Sequence, residues 1–291
     1  MIEVSVSTYS FAQLINSGKM TQFDCIGKAK EMGFDAVEIE SIHPHDGSSQ
    51  KEYAKKLGEE LNRINLSISN FTFGADFING SNGDTKEEIA RVKAMIDIAE
   101  ILGAKSVRHD ATNGYTNEVR KYRGFEDVLP IISDACRQVT EYAVTKGIKT
   151  MVENHGFFCQ DSDRVERLVN TVAHENFGLL TDMGNFLCVD EDPTIAFGRV
   201  ATYAFYAHAK DFHVKSGMAQ NPGEGFFQSR NGNYLRGAII GHGDVPVKHC
   251  LKALKQAGYD GYVAIEFEGM EEPILALNIS LANLKRYIIE L

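Results

Sequence analysis

Thr150-Met151-Val152-Glu153-Asn154-His155 is a short apolar run that stops on an ionisable group. The same design returns in Gly178-Leu179-Leu180-Thr181-Asp182, in Ala204-Phe205-Tyr206-Ala207-His208 and in Tyr262-Val263-Ala264-Ile265-Glu266. Four earlier runs, Glu3–Ser7, Ala36–Glu40, Leu66–Asn70 and Ser106–His109, have similar strand character. Between the runs lie stretches with apolar residues at helical spacing, such as Tyr53/Leu57/Leu61, Ile89/Val92/Ile96 and Leu129/Ile132/Cys136/Val139. Strict strand–helix alternation predicts a parallel sheet with crossover helices. Eight such units predict an α/β protein with one (β/α)8 TIM barrel spanning residues 1–291, with an open doubly wound sheet as the alternative.

The punctuation agrees. Thr85-Lys86-Glu87-Glu88 reads as a capping box, and Asp192-Pro193 as a cap followed by a first-turn proline, a role that Pro246 and Pro273 also fit. Gly33, Gly103, Gly147 and Gly258 follow helical runs, where a left-handed residue ends a helix. One connection is long. From Asp211 to Pro246 the chain carries seven glycines, and this predicts a lid-like loop over about 214–245 after strand seven.

Composition narrows the function classes. With 40 acidic against 30 basic residues, the net charge of −10 argues against a duplex-DNA binder, which must neutralise phosphates. No apolar run is long enough to span a membrane, and the N-terminus lacks the pattern of a secretory signal. The five cysteines are scattered, with no C-x-x-C pair, so reduced thiols in a cytoplasmic enzyme are expected. Met- and Phe-bearing helices are compatible with a homo-oligomer.

In a parallel barrel the last four strand ends are neighbours on one rim, so Glu153, Asp182, His208 and Glu266 should converge. Three bare carboxylates at close range repel one another, and a divalent cation removes that repulsion. The mainly oxygen ligand set suits Mn2+, Mg2+ or Co2+, with Zn2+ also accommodated.

These pieces, together with the Asp182-Met183-Gly184-Asn185 turn, His208-Ala209-Lys210-Asp211 and Gly241-His242-Gly243-Asp244-Val245, resemble the xylose-isomerase-like barrel superfamily. That superfamily groups sugar isomerases and epimerases with endonuclease IV. In its ketose 3-epimerases the positions matching Glu153, Asp182, His208 and Glu266 bind the metal, and the two glutamates are the acid–base pair. The resemblance therefore implies a metal-dependent isomerase or epimerase that moves a proton next to a carbonyl through an enediolate. The same site chemistry serves an inosose-type dehydratase. A nuclease like endonuclease IV and a non-catalytic sugar-binding barrel are the readings from other classes. Two departures weaken the epimerase assignment. Asn185 stands where the epimerases carry a substrate-binding His, and their Arg after the strand-seven His has no counterpart, leaving His213 or Lys215 as substitutes.

Further substrate contacts are expected from His155, Asn185, His109, Lys210 and Glu40. Lys210 competes with a salt bridge to Asp211, and Glu38 reads as a surface pairing residue. Phe11, Phe71, Phe157 and Phe186 are core fillers or an apolar wall for a sugar, and His43-Pro44-His45-Asp46 reads as an exposed loop. No basic cluster at the rim points to a phosphorylated substrate, so the expected partner is a small carbohydrate or polyol, with neither nucleic acid nor membrane involved.

Overall fold

The eight expected strands pair into one closed parallel barrel. A computed structural model describes residues 2–291. The strands are β1 (Glu3–Ser7), β2 (Ala36–Glu40), β3 (Ser67–Phe73), β4 (Ser106–His109), β5 (Lys149–Glu153), β6 (Phe177–Asp182), β7 (Ala204–Ala209), β8 (Asp211–Lys215), β9 (Phe227–Gln228), β10 (Tyr234–Ala238) and β11 (Tyr262–Ile265). Strands β1 to β7 follow one another around the barrel, and β11 closes it between β7 and β1. The helices are α1 (Ala12–Asn16), α2 (Gln22–Met32), α3 (Gln50–Arg63), α4 (Thr85–Leu102), α5 (Phe125–Val144), α6 (Ser162–Val172), α7 (Asn185–Cys188), α8 (Pro193–Val200), α9 (Val247–Gln256) and α10 (Pro273–Ile289). The apolar faces of the longer helices bury Tyr53, Leu57 and Leu61, then Val92 and Ile96, then Ile132, Cys136 and Val139 against the outside of the barrel. None of the described helices is long and apolar enough to cross a membrane. All five cysteines are free and buried.

Gly33 and Gly103 end α2 and α4 in the left-handed region, as their positions predict. The start of α4 differs from expectation. Asp84, not Thr85, is the cap and accepts from the Lys86 and Glu87 amides. Thr85 is already helical and donates to the Phe77 carbonyl at 2.8 Å. Glu88 turns away from the helix start to take the Asp76 amide and the Arg91 guanidinium. An acidic cap one residue earlier satisfies the free amides, which releases both members of the expected box. Pro246 likewise stands at the cap of α9 rather than in its first turn, whereas Pro273 opens α10 as expected.

The glycine-rich connection carries a small sheet of its own. Strands β8, β10 and β9 form a three-stranded antiparallel sheet. Its base is tied by Asp211, which accepts from the amides of Gly241, Gly243 and Val245 at 2.8–3.0 Å. Gly237 in β10 bridges to Gly269, and a Cβ there would lie 2.5 Å from the Glu268 backbone, so only glycine permits this approach. The excursion thus presses on the segment that follows Glu266.

Candidate metal centre

The ends of β5, β6, β7 and β11 converge at the mouth of the barrel. One ligand atom each from Glu153, Asp182, His208 and Glu266 falls within 4.8 Å of the others, the one such group among the described residues. Local structure aims each of them. Asp182 Oδ1 accepts from the Gly184 and Asn185 amides, capping the tight turn into α7 and leaving Oδ2 to face the centre. Asn154 accepts the Asp182 amide and donates to its carbonyl, which ties the β5 and β6 ends together. Ser10 bonds on either side of Glu266, to the Ile265 carbonyl and the Phe267 amide.

His208 Nδ1 lies 3.8 Å from Glu153, 3.6 Å from Asp182 and 3.5 Å from Glu266. These spacings are too long for hydrogen bonds. His208 Nδ1 and Asp182 Oδ2 are buried and make none, Asp182 Oδ2 having only the Lys210 ammonium 3.3 Å away. Buried polar atoms without partners are rare. Three carboxylate oxygens and one imidazole nitrogen facing a common point fit a divalent ion, and the resident residues suit that role.

The two glutamates have unlike surroundings. Glu153 pairs with Arg108 Nε at 2.7 Å and accepts from Asn185 Nδ2 at 2.9 Å. Burial pushes its carboxyl up, and Arg108 and His208 only partly offset this. Glu266 pairs with Lys210 Nζ at 2.5 Å. Burial pushes this carboxyl up too, but the Lys210 and His208 charges outweigh it and hold it well below the usual range. Burial lowers His208 and Lys210, and the surrounding carboxylates outweigh it, so both are held well above their ordinary values.

A cleft of about 220 Å³ opens above this centre, lined among others by Tyr9, Glu40, Arg108, His155, Lys210 and Glu268. Of the expected substrate contacts, the structure brings His155, Lys210 and Glu40 to the cleft wall. His155 Nδ1 donates to Asp110 Oδ1, 3.0 Å away, and Glu40 is held by the Ser41 hydroxyl. Asn185 lies just beneath, bridging Glu153 and Lys210. Lys210 pairs with Glu266 and Asp182 rather than Asp211, whose oxygens are taken by backbone amides.

His109 is a correction. Its ring is fully buried on the helix side of β4, against Phe73 and Phe77, with Nδ1 on the Asp110 carbonyl. Alternation along the strand sends Arg108 inward instead. Arg108 and its partner Asp110, 2.9 Å apart, were not singled out from the sequence; the phase of the four-residue strand was the missing signal. Glu38 is a second correction. It is fully buried inside the barrel and contacts His208 Nε2 at 3.0 Å. Phe11, Phe71 and Phe186 fill the core, so Tyr9 is the aromatic ring on the cleft wall. The His43–Asp46 stretch stays on the surface, where Asp46 pairs with Lys56 at 2.6 Å.

Fold and site together define a (β/α)8 barrel with a buried group of three carboxylates and one imidazole at its C-terminal mouth that could hold a metal ion. The chain belongs to the xylose isomerase-like TIM barrel family, whose sequence model matches residues 26–287. It is 23% identical over 268 residues to the inosose dehydratase of Geobacillus thermodenitrificans (strain NG80-2), covering 89% of this chain and 85% of that protein. Among solved structures, the IOLI protein with a binding zinc atom superposes with a TM-score of 0.77 at 17% identity, covering 99% of both chains. L-ribulose 3-epimerase superposes with a TM-score of 0.72 at 12% identity, covering 100% of this chain and 95% of that one.

Proposed function

We propose that this chain is a divalent-metal-dependent dehydratase acting on a small cyclic keto-polyol, of the inosose dehydratase type. This replaces the isomerase or epimerase first expected. The likeness to inosose dehydratase over most of the chain supports it. That likeness is the carrying observation, and the different partners of Glu153 (Arg108 and Asn185) and Glu266 (Lys210) accord with it. Elimination needs one base and a separate acid for the leaving oxygen.

Glu153, Asp182, His208 and Glu266 would hold the ion, Mn2+ first among the candidates. When bound, such an ion polarises the substrate carbonyl and makes the neighbouring C–H more acidic. Glu153, held by Arg108 and Asn185, takes the α-proton, and the C–H electron pair forms the double bond of an enolate. Re-forming the carbonyl moves that pair between the α and β carbons and breaks the β C–O bond. The β oxygen leaves as water with a proton supplied by the Lys210 ammonium, which Glu266 holds in place, giving an unsaturated ketone. Asn185 steadies both sides through Glu153 and Lys210. Glu40 and Glu268 accept ring hydroxyls and disfavour a carboxylated substrate by repulsion.

The test is a screen of inososes and ketoses with the metal-supplemented protein in deuterated solvent, read by NMR and by absorbance of the enone. Loss of water from an inosose, abolished by chelation and restored by Mn2+ or Co2+, is the expected result. Glu153→Gln and Glu266→Gln should each lower turnover about 10²- to 10⁴-fold. Epimerised product without dehydration would return the chain to the epimerase reading.

A further inference from the structure

The chemistry above leaves a buried polar chain beneath the site without a role. Glu38 accepts from Asn70 Nδ2 at 3.1 Å on one carboxylate oxygen and contacts His208 Nε2 on the other. Asn70 accepts from the Ser106 hydroxyl at 2.8 Å. Glu38, Asn70 and His208 are all completely buried. An ionised carboxylate there is costly unless every lone pair is used.

The pairing of β2 with β3 explains how Asn70 arrives. Val37 pairs with Ile68, but Glu38 pairs with Asn70, so Ser69 is an extra residue in β3. Such a bulge re-aims the side chains after it. Here two successive residues, Ser69 and Asn70, both face the barrel interior. Ser69 bonds Ser5 and Tyr206, each at 2.7 Å, and Asn70 reaches Glu38. A second irregularity, with Phe205 as the extra residue in β7, precedes Tyr206. The Tyr206 ring stands edge-on to the His208 ring at 5.8 Å. The imidazole is therefore held from its far nitrogen and from below.

We infer that Glu38 and Asn70 are positioning residues that fix the His208 ring with Nε2 on Glu38 and Nδ1 facing the three carboxylates, so that the centre is arranged before an ion arrives. This rests on the metal-centre reading. A carboxylate behind a ligating His orients the ring, and losing it typically weakens metal binding 10–100-fold.

The test uses Glu38→Leu, Glu38→Gln and Asn70→Leu, each first checked for native circular dichroism. Zn2+ and Mn2+ binding is then measured by calorimetry on metal-stripped protein. Zn2+-loaded wild type, 15N-labelled at histidine, reports which His208 nitrogen carries the proton. Expected are about a 10–100-fold affinity loss for Glu38→Leu, a smaller loss for Asn70→Leu, and partial rescue by Glu38→Gln, whose amide oxygen still accepts from Nε2–H. Wild-type affinity in folded Glu38→Leu and Asn70→Leu, or coordination through Nε2, would overturn the proposal. Should Glu38→Leu fail to fold, Asn70→Leu and the wild-type spectrum still decide it. Wild type that binds no ion would instead overturn the metal centre itself.

Discussion

The two halves of the barrel divide the site between them. The later strands, β5, β6, β7 and β11, supply all four residues of the central group, one at each strand end. The earlier strands, β2, β3 and β4, supply none of the four but hold them. Glu38 and Asn70 back His208, and Arg108 neutralises Glu153. The later half carries ligands where strands stop. The earlier half carries their partners inside strands, one to three residues before the strand end. Ligand atoms can be displayed by a strand end alone, whereas compensating a buried charge requires a second strand placed to reach it.

The largest effect expected from breaking this division is at Arg108. Arg108→Met removes the guanidinium that pairs with buried Glu153 and with Asp110, and the apo protein should lose about 3–5 kcal/mol, measured by urea unfolding. Added divalent ion should recover part of that loss. An unchanged midpoint would mean that the two halves are electrostatically independent.

His109 sharpens the comparison from the other face of the same strand. Burial lowers its pKa to about 4, so the folded protein keeps it neutral while the unfolded chain, near 6.5, binds a proton first. Its contribution is complete above about pH 6.5 and is lost as the pH falls towards 4. The difference in stability between wild type and His109→Phe should therefore change by about 3 kcal/mol over that interval, with wild type the steeper. Equal slopes would indicate that the ring is solvated.

The smallest effect is expected in the excursion. Gly237→Ala forces β10 off the Glu268–Gly269 backbone. Overpacking of this kind costs about 1–3 kcal/mol. Because the displaced segment follows Glu266, KM for the keto-polyol should rise along with the drop in thermal midpoint. A fall in stability with KM untouched would show that the excursion only props the barrel.

What could be read from sequence follows the same division. Glu153, Asp182, His208 and Glu266 each end an apolar run, so strand and stop were visible together in one short segment. Glu38 sits in Ala36-Val37-Glu38-Ile39-Glu40, where Glu38 and Glu40 share the inner face and only depth in the barrel separates the buried one from the one on the cleft wall. Choosing between Arg108 and His109 required the phase of a strand only four residues long. Thr85-Lys86-Glu87-Glu88 matched a capping pattern, yet the Asp before it took the amides.

The chain itself determined the number of units, their alternation and the polar tips of the last four strands, because apolar periodicity is a local property. Tertiary structure alone decided that Ser69 is bulged, that Asn70 reaches Glu38 and that Arg108 rather than His109 turns to Glu153. The physical reason is that strand register is set by pairing with neighbours, and an offset of one residue exchanges the inner and outer faces.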